Sequence, residues 1–122
     1  MLSVDHVFIC CSPGAPEARA LVELGLVEGS GNRHPGQGTA NRRFFFSNAY
    51  LELLWVSNEE EARSPEAQDT RLWQRWLERN QAACPFGILF RTDESPLPFA
   101  TCRTSRAIFR LGPQLNLLEG SP

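Results

Sequence analysis

Two strand-like apolar runs constrain this chain most. His6 lies inside VDHVFICC and Glu52 lies inside YLELLWV. Side chains on a strand alternate between faces, so His6 shares a face with Phe8 and Cys10, and Glu52 with Tyr50, Leu54 and Val56. A carboxylate on an apolar face is costly unless something pairs with it. An imidazole on a neighbouring strand, with a metal ion between the two, is one economical solution.

The chain has 122 residues, a length suited to one domain spanning 1–122. A net charge of −2 gives no basic footprint for nucleic acid or an anionic membrane. No apolar run approaches the roughly 20 residues of a spanning helix, and the N-terminus has no secretory pattern, so the expected compartment is the cytoplasm. The basic residues are all Arg, which reads as coding bias. The four cysteines have no C-x-x-C spacing and read as buried free thiols.

Val4 to Cys11 reads as a first strand. Ser12-Pro13 offers a helix start, and Gly25 a stop after the stripe Ala18, Leu21, Val22 and Leu24. Leu26 to Glu28 reads as a short edge strand. The stretch GSGNRHPGQGTAN reads as loop, dense in Gly, Asn and Pro. Arg42 to Phe46 and Tyr50 to Val56 form a hairpin around Ser47-Asn48-Ala49. The run Glu59 to Glu61 reads as a solvated turn. A second helix starts at Ser64-Pro65-Glu66, with Leu72, Trp73, Trp76 and Leu77 on one face, and ends near Cys84-Pro85. Phe86 to Arg91 is a fifth strand, while Arg106 to Leu111 and Gln114 to Leu118 give weaker strand signals.

DHVFICCSP, a helix ending in LGL, RHPGQGTANR and YLELLWV together resemble the glyoxalase-like branch of the vicinal oxygen chelate superfamily, over roughly residues 3 to 92. That resemblance implies an α+β fold: a βαβββ module over 3–56 whose curved mixed sheet forms a cup, followed over 57–122 by a helix and a partial or degenerate second module. In metal-dependent members a His on the first strand and a Glu on the fourth point into the cup, which places His6 and Glu52 as ligands of Zn, Ni, Fe or Mn. Such members are lyases, isomerases or dioxygenases acting on small oxygen-containing substrates, and others bind drugs without metal. The segment CPFGILFRT, where a second module often supplies a His, contains none, and Asp93 is the first carboxylate after it. The metal set is therefore incomplete in one chain.

Read as residues, both groups keep two interpretations open. His6 is either a hydrogen-bonded core histidine or a ligand. Glu52 is either paired with Arg42 or Arg43, or serves as ligand or general base, and burial alone would raise its pKa. His34, Asn41 and Arg42 are candidate substrate-binding residues. Thr39 and Asn41 also suit tying down their own loop. Of Arg42 and Arg43 only one faces the cup, because neighbours on a strand point oppositely. Trp55 alternates away from Glu52 and should pack under a helix, and Trp73 and Trp76 read as core or interface. Three function classes remain: a metal-dependent enzyme, a metal-free small-molecule binding protein, and a shortened inactive paralogue. A single curved module leaves one sheet face uncovered, so a two-fold homodimer is expected.

Overall fold

β-Branched and aromatic residues carry Leu2–Cys10 as strand β1. The structure, a computed structural model, describes residues 2–81, 83–92, 107–111 and 114–117, the last two segments as backbone alone. Thr39–Phe45 (β3) and Tyr50–Val56 (β4) form the antiparallel hairpin anticipated from the sequence, with β3 starting three residues before Arg42. The additional residues include buried Thr39, Ala40 and Asn41. They pair with Arg33–His34, a short strand β2 inside the segment read as loop, through Arg33↔Ala40 and His34↔Thr39. Gly36 and Gly38 both take positive φ between these strands, so turn chemistry masked a two-residue strand. Of the edge strand expected at Leu26 to Glu28, only a Glu28↔Phe44 bridge forms.

The first helix is shorter than its sequence signal. Gly14 and Ala15 take φ of 79° and 47°, which breaks any helix begun at Pro13, and α1 runs Ala18–Glu23. Its end is as expected from Gly25: the Gly25 amide bonds to the Val22 carbonyl and the Leu26 amide to the Leu21 carbonyl. The acidic run is a one-turn helix α2, Glu59–Ala62, whose Glu61 amide donates to the Asn58 side chain. The second long helix is instead a 3₁₀ turn over Pro65–Thr70 followed by α3, Leu72–Leu77, broken at Arg71 with φ 51°.

Phe86–Thr92 (β5), Ala107–Leu111 (β6) and Gln114–Leu117 (β7) complete a curved, unclosed mixed sheet of order β2-β3-β4-β1-β5-β6-β7. β1 runs parallel to β4 and antiparallel to β5, and β5 runs parallel to β6. The β5, β6, β7 pairing thus repeats the β1, β4, β3 pairing across the central β1/β5 contact.

Each face of the sheet has its own core. On one, Phe8, Cys10, Leu54 and Leu89 pack with Leu72 and Trp76 of α3. On the other, Cys11, Phe44 and Leu53 pack with Ala15 and Ala18 at α1, and Trp55 joins that cluster under the helix. Trp76 additionally donates from its indole nitrogen to the Cys11 carbonyl at 2.7 Å, which ties α3 to the end of β1. Cys10, Cys11 and Cys84 are free thiols, and Cys102 and Asp93 lie outside the described residues.

Candidate functional site

Strand register gathers the site. His6 stands opposite Tyr50 and Phe8 opposite Glu52, and across the next ladder Glu52 faces Arg43 and Leu54 faces Asn41. Paired residues share a face, so His6, Tyr50, Glu52, Asn41, Arg43 and Thr39 project to the side covered by α3. His34, opposite Thr39, projects there too.

A register irregularity between Val4 and His6 on the β5 side adds a further residue. Such a bulge re-aims a side chain, and here Asp5 reaches the imidazole beside it. His6 Nδ1 lies 2.7 Å from Asp5 Oδ2. Since a carboxylate only accepts, Nδ1 carries the hydrogen, and Nε2 is directed the other way. There it meets Glu52 Oε1 at 3.4 Å. Tyr50 lies flat on the imidazole, ring centres 4.3 Å apart and planes within 9°.

Glu52 is 5% exposed and has partners on both oxygens. Asn41 Nδ2 donates to Oε2, while Asn41 Oδ1 accepts from the Asn32 amide at 2.7 Å. Asn41 thereby ties the loop down and fixes the carboxylate together. His34 Nε2 stands 3.7 Å from the same Oε2, and its Nδ1 lies 2.7 Å from Thr39 Oγ1. Burial pushes the Glu52 carboxyl up, but hydrogen bonds from His6 and Asn41 and the charge of both imidazoles outweigh it. The result lies below the usual carboxylate range. That reverses the direction expected from burial alone and keeps Glu52 in the anionic form.

Of the sequence candidates, the fold brings His6, Glu52, Asn41 and His34 together and leaves Arg42 out. Arg42 projects to the α1 side, where its guanidinium grips Glu28 at 2.8 and 2.6 Å and the Ala15 carbonyl at 3.1 Å. The arginine on the site's face is Arg43, over the rings of Phe45 and Tyr50 at 4.9 and 5.4 Å, with its Nε on the Ser30 carbonyl. Neither arginine pairs with Glu52 in the manner anticipated.

Two contributors escaped the sequence reading. Asp5 was hidden because simple alternation places it opposite His6, and a bulge has no reliable sequence mark. Tyr50 carried a signal, since it shares a strand face with Glu52, but only the parallel register of β1 and β4 reveals its stack on His6.

Among the described residues, no three His, Cys, Asp or Glu side chains form a ready-made ligand cage. The donors stand instead in two pairs, one on each oxygen of a single carboxylate. Both imidazoles have Nδ1 occupied by an oxygen partner and Nε2 turned toward the anion.

The glyoxalase-like domain family matches the chain over residues 4–103. No functionally curated protein matches it. Among solved structures, a hypothetical protein from Staphylococcus aureus superposes with a TM-score of 0.53 at 22% identity, covering 79% of this chain and 39% of that one. A hypothetical protein from Bacillus halodurans gives a TM-score of 0.49 at 19% identity, covering 76% of this chain and 60% of that one. The chain thus spans less than two thirds of the length of both.

Proposed function

The chain belongs to the glyoxalase-like domain family, and on that premise we propose that it is a metal-dependent enzyme acting on a small oxygen-containing substrate, with His6 and Glu52 as metal ligands. The carrying observation is the commitment of His6 Nδ1 to Asp5, which leaves Nε2 facing Glu52 Oε1 at 3.4 Å. Neutral imidazole would there set a lone pair against a carboxylate, a repulsion that a metal ion relieves, as a proton on Nε2 does when no metal is bound. The spacing fits the group: two donors each about 2.1 Å from a tetrahedral ion stand about 3.4 Å apart. Zn, Ni, Fe or Mn suits this imidazole and carboxylate set.

When bound, the ion supplies a Lewis acid for a carbonyl or enolate oxygen. Asp5 fixes the tautomer and orientation of His6, the outer-shell role that carboxylates play behind metal-bound imidazoles. Asn41 holds Glu52 Oε2, and Tyr50 shields one face of the His6 ring. Arg43, on the same face, takes in this reading the role of meeting an anionic substrate group that the sequence gives to Arg42.

Metal analysis of the purified protein, with melting curves in chelator and in each added divalent ion, tests this reading. At an ion concentration about 100 times Kd the folded state gains about 2.7 kcal/mol. For a chain of this length that raises Tm by about 10 °C. Absence of bound ion together with an unmoved Tm would reject it.

The missing three-donor cage favours a second reading, a metal-free binding protein in which a protonated His6 bridges Asp5 and Glu52. Stabilisation by small molecules that is indifferent to chelator would select it. A shortened inactive paralogue predicts neither response. For assembly we keep a two-fold homodimer, which light scattering at micromolar concentration tests. No described helix is long and apolar enough to cross a membrane, and the cytoplasm remains the working compartment.

A further inference from the structure

We propose that His34 is a third metal ligand, so that His6, Glu52 and His34, which form no ready-made cage as they stand, close on one ion and supply the donor set from one chain. This rests on the metal reading above and extends it. The sequence alone leaves the set incomplete in one chain and gives His34 as a candidate substrate-binding residue.

Three observations point to His34. Its Nε2 faces Glu52 Oε2 at 3.7 Å, while His6 Nε2 faces Oε1 at 3.4 Å, so the two imidazoles approach the carboxylate from its two oxygens. The Nδ1 atom of His34 is held by Thr39 Oγ1 at 2.7 Å, as that of His6 is held by Asp5. Each ring therefore has the outer-shell partner that orients metal-bound histidines. Three protein ligands with a position left open is also the usual composition of a catalytic zinc site.

The third observation is the rigidity of the hairpin that carries His34. Register pins His34 opposite Thr39, itself 2% exposed. The Gly38 carbonyl accepts from the Ser57 and Asn58 amides at 2.8 and 3.1 Å. The Gly36 amide donates to Glu61 Oε1 at 2.5 Å. A Cβ at Gly38 would collide with the backbone of Asn58 and Ala62. The GQG segment thus lets the hairpin backbone lie directly on the β4–α2 connection, which holds His34 beside Glu52. A histidine needed only as a loose substrate contact requires no such anchoring.

Cobalt(II) titration of the full chain, followed by proton NMR, tests the proposal. The chain has two histidines. A histidine bound through Nε2 gives one exchangeable, paramagnetically shifted Nδ1–H signal, so the wild type should show two and His34→Ala one. His34→Ala should weaken cobalt binding by about 100-fold or more, and Thr39→Val by about 10-fold, the scale of an outer-shell loss. His34 has a part-exposed side chain, and melting of His34→Ala in chelator checks that the fold persists. A single shifted signal in the wild type, lost in His6→Ala, would overturn the role of His34 and leave the His6–Glu52 site standing. No shifted signal in the wild type would overturn both.

Discussion

Replacing Glu52 by Gln removes a charge while keeping size and an acceptor for Asn41. In metal-free protein the sign of the effect follows from the balance at this buried carboxylate. Its pKa lies below the usual range, so partners outweigh burial, and the ionised form stabilises the fold. Hydrogen bonds to a charged acceptor contribute about 1.5–3 kcal/mol each against about 0.5–1.5 for neutral ones. Over the contacts from Asn41 and His6 the gross loss is about 2–3 kcal/mol, and release of the burial penalty reduces it to a net of about 1–2 kcal/mol. Urea unfolding in chelator, read by tryptophan fluorescence, should show a lower midpoint with an unchanged slope. Tm should drop by about 4–8 °C. The gap should be complete above the ordinary carboxylate value of 4.5 and close as pH falls through the lower folded-state value, because the wild type then protonates the group that the variant lacks. A Gln variant as stable as wild type at neutral pH, or more stable, would refute the claim that His6 and Asn41 outweigh burial.

Burial pushes Cys10 up to about 11 and Cys11 up to about 12, so neither should alkylate in native protein at pH 8, whereas both should after unfolding, as peptide mapping would show. The same raised values add stability that is present below 9.0 and lost as pH rises toward 11 to 12, which alkaline melting curves would record. Gly38→Ala should cost more than about 1 kcal/mol, because a residue with φ +70° loses its conformational freedom and gains a collision with Asn58 and Ala62; a neutral result would sink the anchoring of the His34 hairpin. Arg42→Met should cost only about 0–1 kcal/mol, the scale of a part-exposed pair, and leave divalent-ion affinity unchanged, since its partner Glu28 lies on the opposite face from Glu52.

The legible part of this fold was periodic. Alternation in β1, β3 and β4 correctly placed His6 with Phe8 and Glu52 with Leu54, and placed Trp55 under the helix on the other face. Hairpin chemistry fixed Tyr50–Val56 to the residue. The illegible part came from local backbone exceptions. Positive φ at Gly14, Ala15 and Arg71 shortened both long helices despite good capping signals. The two-residue strand Arg33–His34 carries no period, so His34 read as loop although it contributes to the site. A bulge brought Asp5 to His6 against simple alternation. The choice between Arg42 and Arg43 needed only the register of β3 on β4, which pairs Arg43 with Glu52.

Anomalous diffraction from crystals grown with zinc, recorded at the zinc edge, weighs the proposed centre in a single experiment. A peak about 2.0–2.2 Å from His6 Nε2 and from a Glu52 oxygen is the outcome anticipated from the geometry. Zinc located elsewhere, with His6 and Glu52 still in direct contact, would contradict it.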